Sequence, residues 1–307
     1  MEKEKHIVQK PIVMVMLALL STALWGSASP AIKISYDLFR IGADDMYSKC
    51  LIAGIRFIIA GAIVIIYEMI KNRKIAFPEA KEFPKLLGLG AVQTALQYLL
   101  FYSGLAYTTG GKGALFSSID GFFIVLFTPL FFKGQKLTVS KIFGCIVGFA
   151  GLVLTSVGTD ISKLAGFSIR GEGFVALSAL CFATSFFYAK KLMKRMSPAT
   201  VTGWNMVLGA SILIVVGLIG GGKIYWGNGW KAILVLTYLC LLSSVAYTVW
   251  SLLMKYNPVN KVSILKLFTP IFGAIWSALL LNEAFTFINL VALALVCCGI
   301  WVINREP

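Results

Sequence analysis

The chain has 307 residues, of which 58% are hydrophobic and only 13% are charged, whereas soluble domains are about 25% charged. Its 28 lysines and arginines outnumber 13 aspartates and glutamates and give a net charge of +15. This composition excludes a disordered chain and a disulfide-rich secreted domain. It also excludes a nucleic-acid-binding domain, because the basic residues cluster between apolar stretches of about 20 residues, as in polytopic membrane proteins.

Ten apolar runs are long enough to cross a bilayer as helices. In chain order they are 11–32, 47–70, 85–107, 112–132, 140–158, 172–193, 199–219, 230–254, 261–281 and 286–303. A cleaved signal peptide is the alternative for the first run, with its apolar region at 12–24 and a cleavage point at Ser27-Ala28-Ser29. The mixed charge of the preceding tail disfavours it. The sequence therefore predicts an all-α integral membrane protein with ten transmembrane helices.

The basic residues predict the orientation of these helices. Most of the 28 lie in the N-terminal tail and in every second connection, for example Lys71 and Arg73 in one loop and Lys190 and Lys191 in another. Because cytoplasmic loops carry an excess of lysine and arginine, both termini are predicted to be cytoplasmic, in a multi-pass protein of the cell (plasma or inner) membrane. The positive charge needs no anionic partner beyond lipid headgroups.

The two halves of the chain end in similar ways. A polar turn that contains Gln135 precedes the fifth run, and a similar turn that contains Glu283 precedes the tenth, so the halves align at an offset of 148 residues. A register based on the shared Phe-Thr-Pro at 127–129 and 268–270 leaves these turns unmatched. Five helices per half would invert the second repeat relative to the first. The predicted organisation is a tail at 1–10, a repeat at 11–158, a loop at 159–171, a second repeat at 172–303 and a tail at 304–307.

Each half of the chain contains short motifs of its own. They are Ala23-Leu24-Trp25-Gly26 followed by Lys33, Arg56-Phe57, Gly104 to Thr109, the glycines 144, 148 and 151, Ser243 to Trp250, Asn257-Pro258-Val259, Pro270-Ile271-Phe272 and Asn282-Glu283. With these motifs, essentially the whole chain resembles the EamA-type branch of the drug/metabolite transporter superfamily. The resemblance implies a secondary transporter of small metabolites, an exporter more than an importer, with a cavity lined by helices one, three, four, six, eight and nine.

The chain also departs from that family pattern. The first turn has Lys133-Gly134-Gln135 where the family often has a Gly-Glu pair, and Phe122 stands where the aligned register would expect proline. Asp120 and Lys266 occupy positions that many members fill with apolar or small residues. The departures therefore draw attention to these two charged residues.

Four ionisable residues stand out within the predicted spans, where a charge costs at least about 2.5–3.5 kcal/mol. Asp120 and Lys266 are nearly equivalent in the aligned halves, and together they would offer an anion and a cation to a zwitterion such as an amino acid. A plain ion pair between two helices, or a Lys266 that snorkels to the surface, are the alternatives. Asp120 is also the candidate for proton coupling. Arg56 and Glu68, nearer the ends of the second span, are interpreted as structural or topological residues.

Four uncharged residues complete the predicted substrate site. Gln93 and Gln97 are spaced to share one helix face, while Tyr247 and Trp25 offer rings to apolar or cationic groups. Other polar and aromatic residues are ordinary packing and interface material. The prolines that remove backbone donors within spans, and so predict hinges or kinks, are Pro30, Pro129 and Pro270. The glycines that predict close helix packing, within a monomer more than in a homodimer, are Gly144, Gly148 and Gly151.

Several classes of function find no support in the sequence. The six cysteines lack metal-ligand spacing and His6 is the single histidine, so no metal, cofactor or disulfide framework is predicted. No P-loop is present, which excludes ATP-driven transport by this chain alone. An enzyme is disfavoured because no nucleophile–base constellation exists, and a receptor because the loops are short. The predicted function is alternating-access transport of small organic metabolites, amino acids or related zwitterions favoured. Import or exchange remain open as alternatives to export. The predicted partners are the solute and the lipid bilayer, without nucleic acid.

Overall fold

The computed structural model describes residues 7–73, 77–131, 137–157, 168–258, 262, 265–266, 268–283 and 286–304. The described residues form ten helices, joined by turns and loops, and no strand. The helices are α1 (Pro11–Leu38), α2 (Met46–Asn72), α3 (Phe83–Gly90, Ala91–Leu96 and Gln97–Leu105), α4 (Gly110–Phe131), α5 (Val139–Val157), α6 (Ile169–Leu192), α7 (Pro198–Ile219), α8 (Gly229–Tyr256), α9 (Phe268–Leu281) and α10 (Phe287–Asn304). His6, the turn around Gln135 and most of the 159–171 loop lie outside the described residues.

The structure confirms an all-helical fold with helices at the predicted runs. Among the described residues, six helices are long and apolar enough to cross a membrane, namely α1, α2, α4, α6, α7 and α8. The first helix continues beyond its predicted end to Leu38, because its polar end is bound by a neighbour. The Lys33 ammonium donates to the Thr108 carbonyl at 2.6 Å, and the Tyr36 hydroxyl donates to the Tyr102 carbonyl at 2.7 Å.

The helix packing repeats itself between the two halves of the chain. Helix α2 packs on α7, α4 on α9, and α5 on α10. Helix α1 packs on α8 and α9, and its counterpart α6 packs on α3 and α4. Exchanging α1–α5 with α6–α10 therefore reproduces each of these helix contacts.

The equivalent helices α2 and α7 of the two halves run antiparallel where they cross. A Cβ on Gly54 of α2 would lie 3.1 Å from the Ala210 carbonyl oxygen of α7, and one on Gly61 would lie 2.7 Å from the Gly203 oxygen. Residue numbers thus rise along α2 as they fall along α7. This antiparallel crossing is the arrangement expected when one half is inverted relative to the other.

The glycines of α5 pack against α10 of the same chain. A Cβ on Gly299 would lie 2.4 Å from the Gly144 oxygen and 2.6 Å from the Gly148 nitrogen. Small residues at such crossings allow helix backbones to approach closely within a bilayer. The two helices are therefore joined inside the chain through the glycine pattern seen in the sequence.

The turn between α3 and α4 is bound by side chains from distant segments. The Glu283 carboxylate accepts hydrogen bonds from the first two backbone amides of α4, Gly110 at 2.7 Å and Gly111 at 2.9 Å. Glu172 accepts from the Thr108 hydroxyl at 2.8 Å. Helix N-termini carry unpaired N–H groups and a partial positive charge, so a carboxylate there is stabilising. Glu283 thus ties the second half of the chain to the first at one end of the bundle.

We expect Glu283→Ala to lower the free energy of unfolding by about 0.5–2 kcal/mol, the usual effect of removing a helix cap. Thermal unfolding of the detergent-solubilised protein, followed by circular dichroism, measures the change. Glu79→Ala is the matched control, because Glu79 is exposed and pairs with the exposed Lys81. Equal losses in the two variants would contradict a capping role.

Candidate functional site

Both halves interrupt a helix at the same place. In α4 the interruption lies at Ser118, whose carbonyl accepts from the Gly121 amide at 3.1 Å. Just before α9, the Lys266 carbonyl accepts from the Thr269 amide at 3.0 Å. The two turns are separated by the same 148 residues as the turns aligned in the sequence. Interrupted helices at equivalent positions of two repeats are typical of transporter binding sites.

A cavity of about 70 Å³ lies beside these interruptions, among side chains from seven helical regions. The structure brings together five of the six residues that the sequence placed in the substrate site. These five are Trp25, Gln97, Asp120, Tyr247 and Lys266.

Asp120 and Lys266 form an ion pair at the cavity. The Lys266 ammonium donates to Asp120 Oδ2, and the two residues are only 7% and 6% exposed. The pair lines the cavity and also joins α4 to the segment just before α9. Its use in solute binding stays a prediction. Lys266 does not snorkel to a surface, because its ammonium is buried.

Aromatic rings surround the buried ammonium of Lys266. Its nitrogen lies 3.6 Å from the ring centroid of Phe182, 5.0 Å from that of Trp25 and 5.8 Å from that of Trp250. Ring faces attract cations, and the attraction is stronger where water is excluded. Phe182 and Trp250 were not among the predicted site residues. Trp250 belonged to a family motif, whereas Phe182 carried no distinguishing signal among 22 phenylalanines.

Gln93 lies away from this cavity, unlike Gln97. Its side-chain oxygen accepts from the Asn205 amide at 2.7 Å, and it lines a second cavity of about 20 Å³. Gln93 lies within a π-helical turn at Ala91–Leu96, whereas Gln97 begins the regular helix that follows, and the turn changes the rotation of the helix between them. Spacing of four residues therefore does not place them at the same site.

Four polar atoms of cavity-lining residues are buried and have no hydrogen-bond partner within the described chain. These atoms are Trp25 Nε1, Gln97 Oε1, Asp120 Oδ1 and Thr269 Oγ1. A buried polar group without a partner costs about 1–3 kcal/mol, and such groups are rare in native proteins. These four atoms give the cavity one free donor group, two free acceptors and one hydroxyl that could bind a polar ligand.

Arg56 was interpreted from the sequence as a structural or topological residue within reach of the headgroups. It is 1% exposed and lines the cavity, rather than lying near the headgroups. Its guanidinium donates to the Ser243 hydroxyl at 2.9 Å, the Leu239 carbonyl at 3.1 Å and the Tyr102 hydroxyl at 2.9 Å. The signal that marked it was its charge within a predicted span.

Glu68 and the prolines take different positions. Glu68 borders a separate groove of about 540 Å³ between α2 and α8, at the basic end of the bundle. Pro30 lies well inside α1, whereas Pro129 is near the end of α4 and Pro270 is in the first turn of α9. The role of these prolines as hinges stays a prediction.

A buried polar cavity between two duplicated helical halves is the architecture of a multi-pass membrane transporter. The sequence profile of the EamA-like transporter family matches residues 12–157 and, a second time, residues 169–305. The chain therefore belongs to the EamA-like transporter family, which is a family of transporters and not of enzymes.

Similar proteins occur in plants, archaea and bacteria. A WAT1-related chloroplastic protein of Arabidopsis thaliana is 26% identical over 91% of this chain, which spans 66% of that relative. An uncharacterized transporter of Archaeoglobus fulgidus is 25% identical over 94% of this chain and 97% of its own. A probable amino-acid metabolite efflux pump of Escherichia coli is 22% identical over 93% of each chain. A solved crystal structure with 17% identity superposes with a TM-score of 0.70 over 94% of this chain and 95% of its own, which shows a shared fold.

Proposed function

We propose that this protein is a secondary transporter that moves small zwitterionic metabolites of the amino-acid class out of the cell by alternating access. The observation that carries the proposal is the cavity at the paired helix interruptions, which holds the Asp120–Lys266 ion pair and unpaired polar atoms. The Escherichia coli relative is described as a probable amino-acid metabolite efflux pump, which favours amino acids as the solute class and export as the direction.

The two cavities offer a route for alternating access. Phe182 and Tyr247 line both of them, so these two rings form the partition. The second cavity extends toward Met193 and Met254, at the same end as the N-terminal segment, where Gln9 donates to the Tyr256 carbonyl at 2.9 Å. With both termini in the cytoplasm of a cell-membrane protein, this is the inner route. Rocking of one half against the other would open the site to each side in turn.

Solute counterflow by the purified protein in proteoliposomes tests the proposed function. A thermal-shift screen of amino acids and related zwitterions selects the solute, because a specific ligand stabilises the folded state. We expect the wild-type protein to exchange this solute and Asp120→Asn and Lys266→Met to exchange it slowly. If both variants showed counterflow at the wild-type rate, this result would contradict a role of the pair in solute binding or in proton coupling.

Matched controls come from an ion pair on the surface. Glu79→Gln and Lys81→Met remove the same charges from a pair whose side chains are about 70% exposed. These variants should keep wild-type counterflow. A second assay measures uptake driven by an imposed pH gradient. If Asp120→Asn loses this uptake and the other variants keep it, proton coupling is assigned to Asp120.

A further inference from the structure

Arg56 is a buried cation whose counter-ion is not found in the described chain. Ion pairs there join other residues, and its hydrogen bonds go to the neutral oxygens of Leu239, Ser243 and Tyr102. The nearby rings of Phe57 and Tyr98, with centroids at 4.8 and 5.9 Å, offset part of the lost hydration. A buried charge without an opposite charge is strongly unfavourable, so a ligand that supplies an anion would be bound firmly.

The guanidinium keeps donors for such an anion. Of its five N–H groups, the Nε–H and one on Nη1 bind the protein, and the other three have no hydrogen bond to any described residue. Because these three sit on the planar fork, they match the two oxygens of a carboxylate. Arg56 lines the cavity, so the anion can reach it from there.

Lys266 is less suited to the same task, because Asp120 already neutralises it. The cavity therefore carries one positive charge in excess, and that charge belongs to Arg56. Two unpaired acceptors line the same cavity, Asp120 Oδ1 and Gln97 Oε1. A solute with both a carboxylate and an ammonium would satisfy all three groups without separating the ion pair.

We propose that Arg56 binds the carboxylate of the transported solute, while Asp120 Oδ1 and Gln97 Oε1 accept hydrogen bonds from its ammonium. The proposal rests on the function proposed above and narrows its solute class to amino carboxylates. Tyr98 lines the same cavity, with its ring centroid 5.9 Å from the Arg56 guanidinium carbon, and its hydroxyl shares a hydrogen bond of 2.5 Å with Tyr247. Amines and amino-acid amides, which lack the carboxylate, should bind weakly.

The test compares acids with their neutral analogues on purified protein. The probes are the protein L-amino acids, the amide of each amino acid that stabilises the protein, and the amine left after its decarboxylation. Thermal shift gives affinity and proteoliposome counterflow gives transport. We expect the wild-type protein to prefer the acid, and Arg56→Gln to weaken acid binding by about 10- to 100-fold, the range for hydrogen bonds to charged groups. The variant should therefore bind acid and amide alike.

Two further variants separate recognition from folding. Arg56→Lys keeps the cation but loses the planar fork, so its acid binding should fall between that of the wild type and Arg56→Gln. Arg195→Gln removes an arginine whose side chain is 68% exposed, and it should leave every affinity unchanged. If Arg56→Gln does not fold, the preference of the wild-type protein for acid over amide still decides, because equal binding of the two would overturn the proposal.

The outcomes distinguish this proposal from the function on which it rests. A wild-type protein that carries no amino acid would overturn both. Amino-acid transport with unchanged affinity and acid preference in Arg56→Gln would leave the proposed function standing and overturn the assignment of Arg56 alone. Equal weakening of acid and amide in that variant would also overturn it, because a merely structural role affects all solutes alike.

Discussion

Replacing Lys266 with methionine while Asp120 is kept should lower the free energy of unfolding by about 3–5 kcal/mol, because one partner of a buried ion pair is left uncompensated. The reverse change, Asp120→Asn, should cost less. The ammonium of Lys266 would still face the Phe182 ring at 3.6 Å and the Trp25 ring at 5.0 Å. The Asp120 carboxylate has no comparable set of described contacts.

The double variant Asp120→Asn, Lys266→Met isolates the interaction between the two side chains. It should recover most of the stability lost by Lys266→Met, since neither charge remains buried, but it should not recover transport. Thermal unfolding of the four proteins in detergent completes a double-mutant cycle, and counterflow supplies the activity readout. Additive losses in the double variant would show that the two residues do not form the pair described.

Gly209→Ala should be destabilising by about 1–3 kcal/mol, the usual effect of forcing atoms into a packed interior. A Cβ there would lie 2.3 Å from the Gly90 carbonyl oxygen and 2.4 Å from the Thr94 Cβ. Because the first of these neighbours is backbone, α3 and α7 would have to move apart to make room. Thermal unfolding in detergent measures the loss.

Gly88→Ala is the control for this substitution. Gly88 also lies in α3, but a Cβ at this position would meet nothing within 4 Å. The free energy of unfolding of the Gly88→Ala variant should therefore stay at the wild-type value or rise slightly, as expected for alanine in a helix. A similar destabilisation by both alanines would point to backbone flexibility and not to the contact between α3 and α7.

The sequence was most informative about features that neighbouring residues define. Hydropathy over about 20 residues located the helices, because each apolar run must satisfy its own backbone hydrogen bonds in lipid. The end of α1 was missed, since Lys33 and Tyr36 are held by partners on α3 and on the turn after it, which lie far along the chain. The 148-residue offset reappears in the helix interruptions at Ser118 and Lys266.

The candidate site was predicted only where a residue was unusual in its own surroundings. Asp120 and Lys266 stood out because charge is costly in an apolar run. Phe182 did not, since phenylalanine is ordinary there and only its position over the Lys266 ammonium distinguishes it. The sequence spacing predicted a regular helix with Gln93 and Gln97 on one face, whereas Gln93 lies in a π-helical turn that changes the direction of its side chain relative to Gln97.

By itself, then, the sequence determined a duplicated helical membrane protein of the EamA-like transporter family and two buried charges that mark its centre. Hydropathy, charge asymmetry and sequence motifs depend only on the order of residues along the chain, so they can be recognised without a three-dimensional structure. Only the tertiary structure decided that Arg56 faces the cavity, with neutral partners from α3 and α8. The surroundings of a buried charge are made by side chains from several helices, and their meeting depends on how those helices pack.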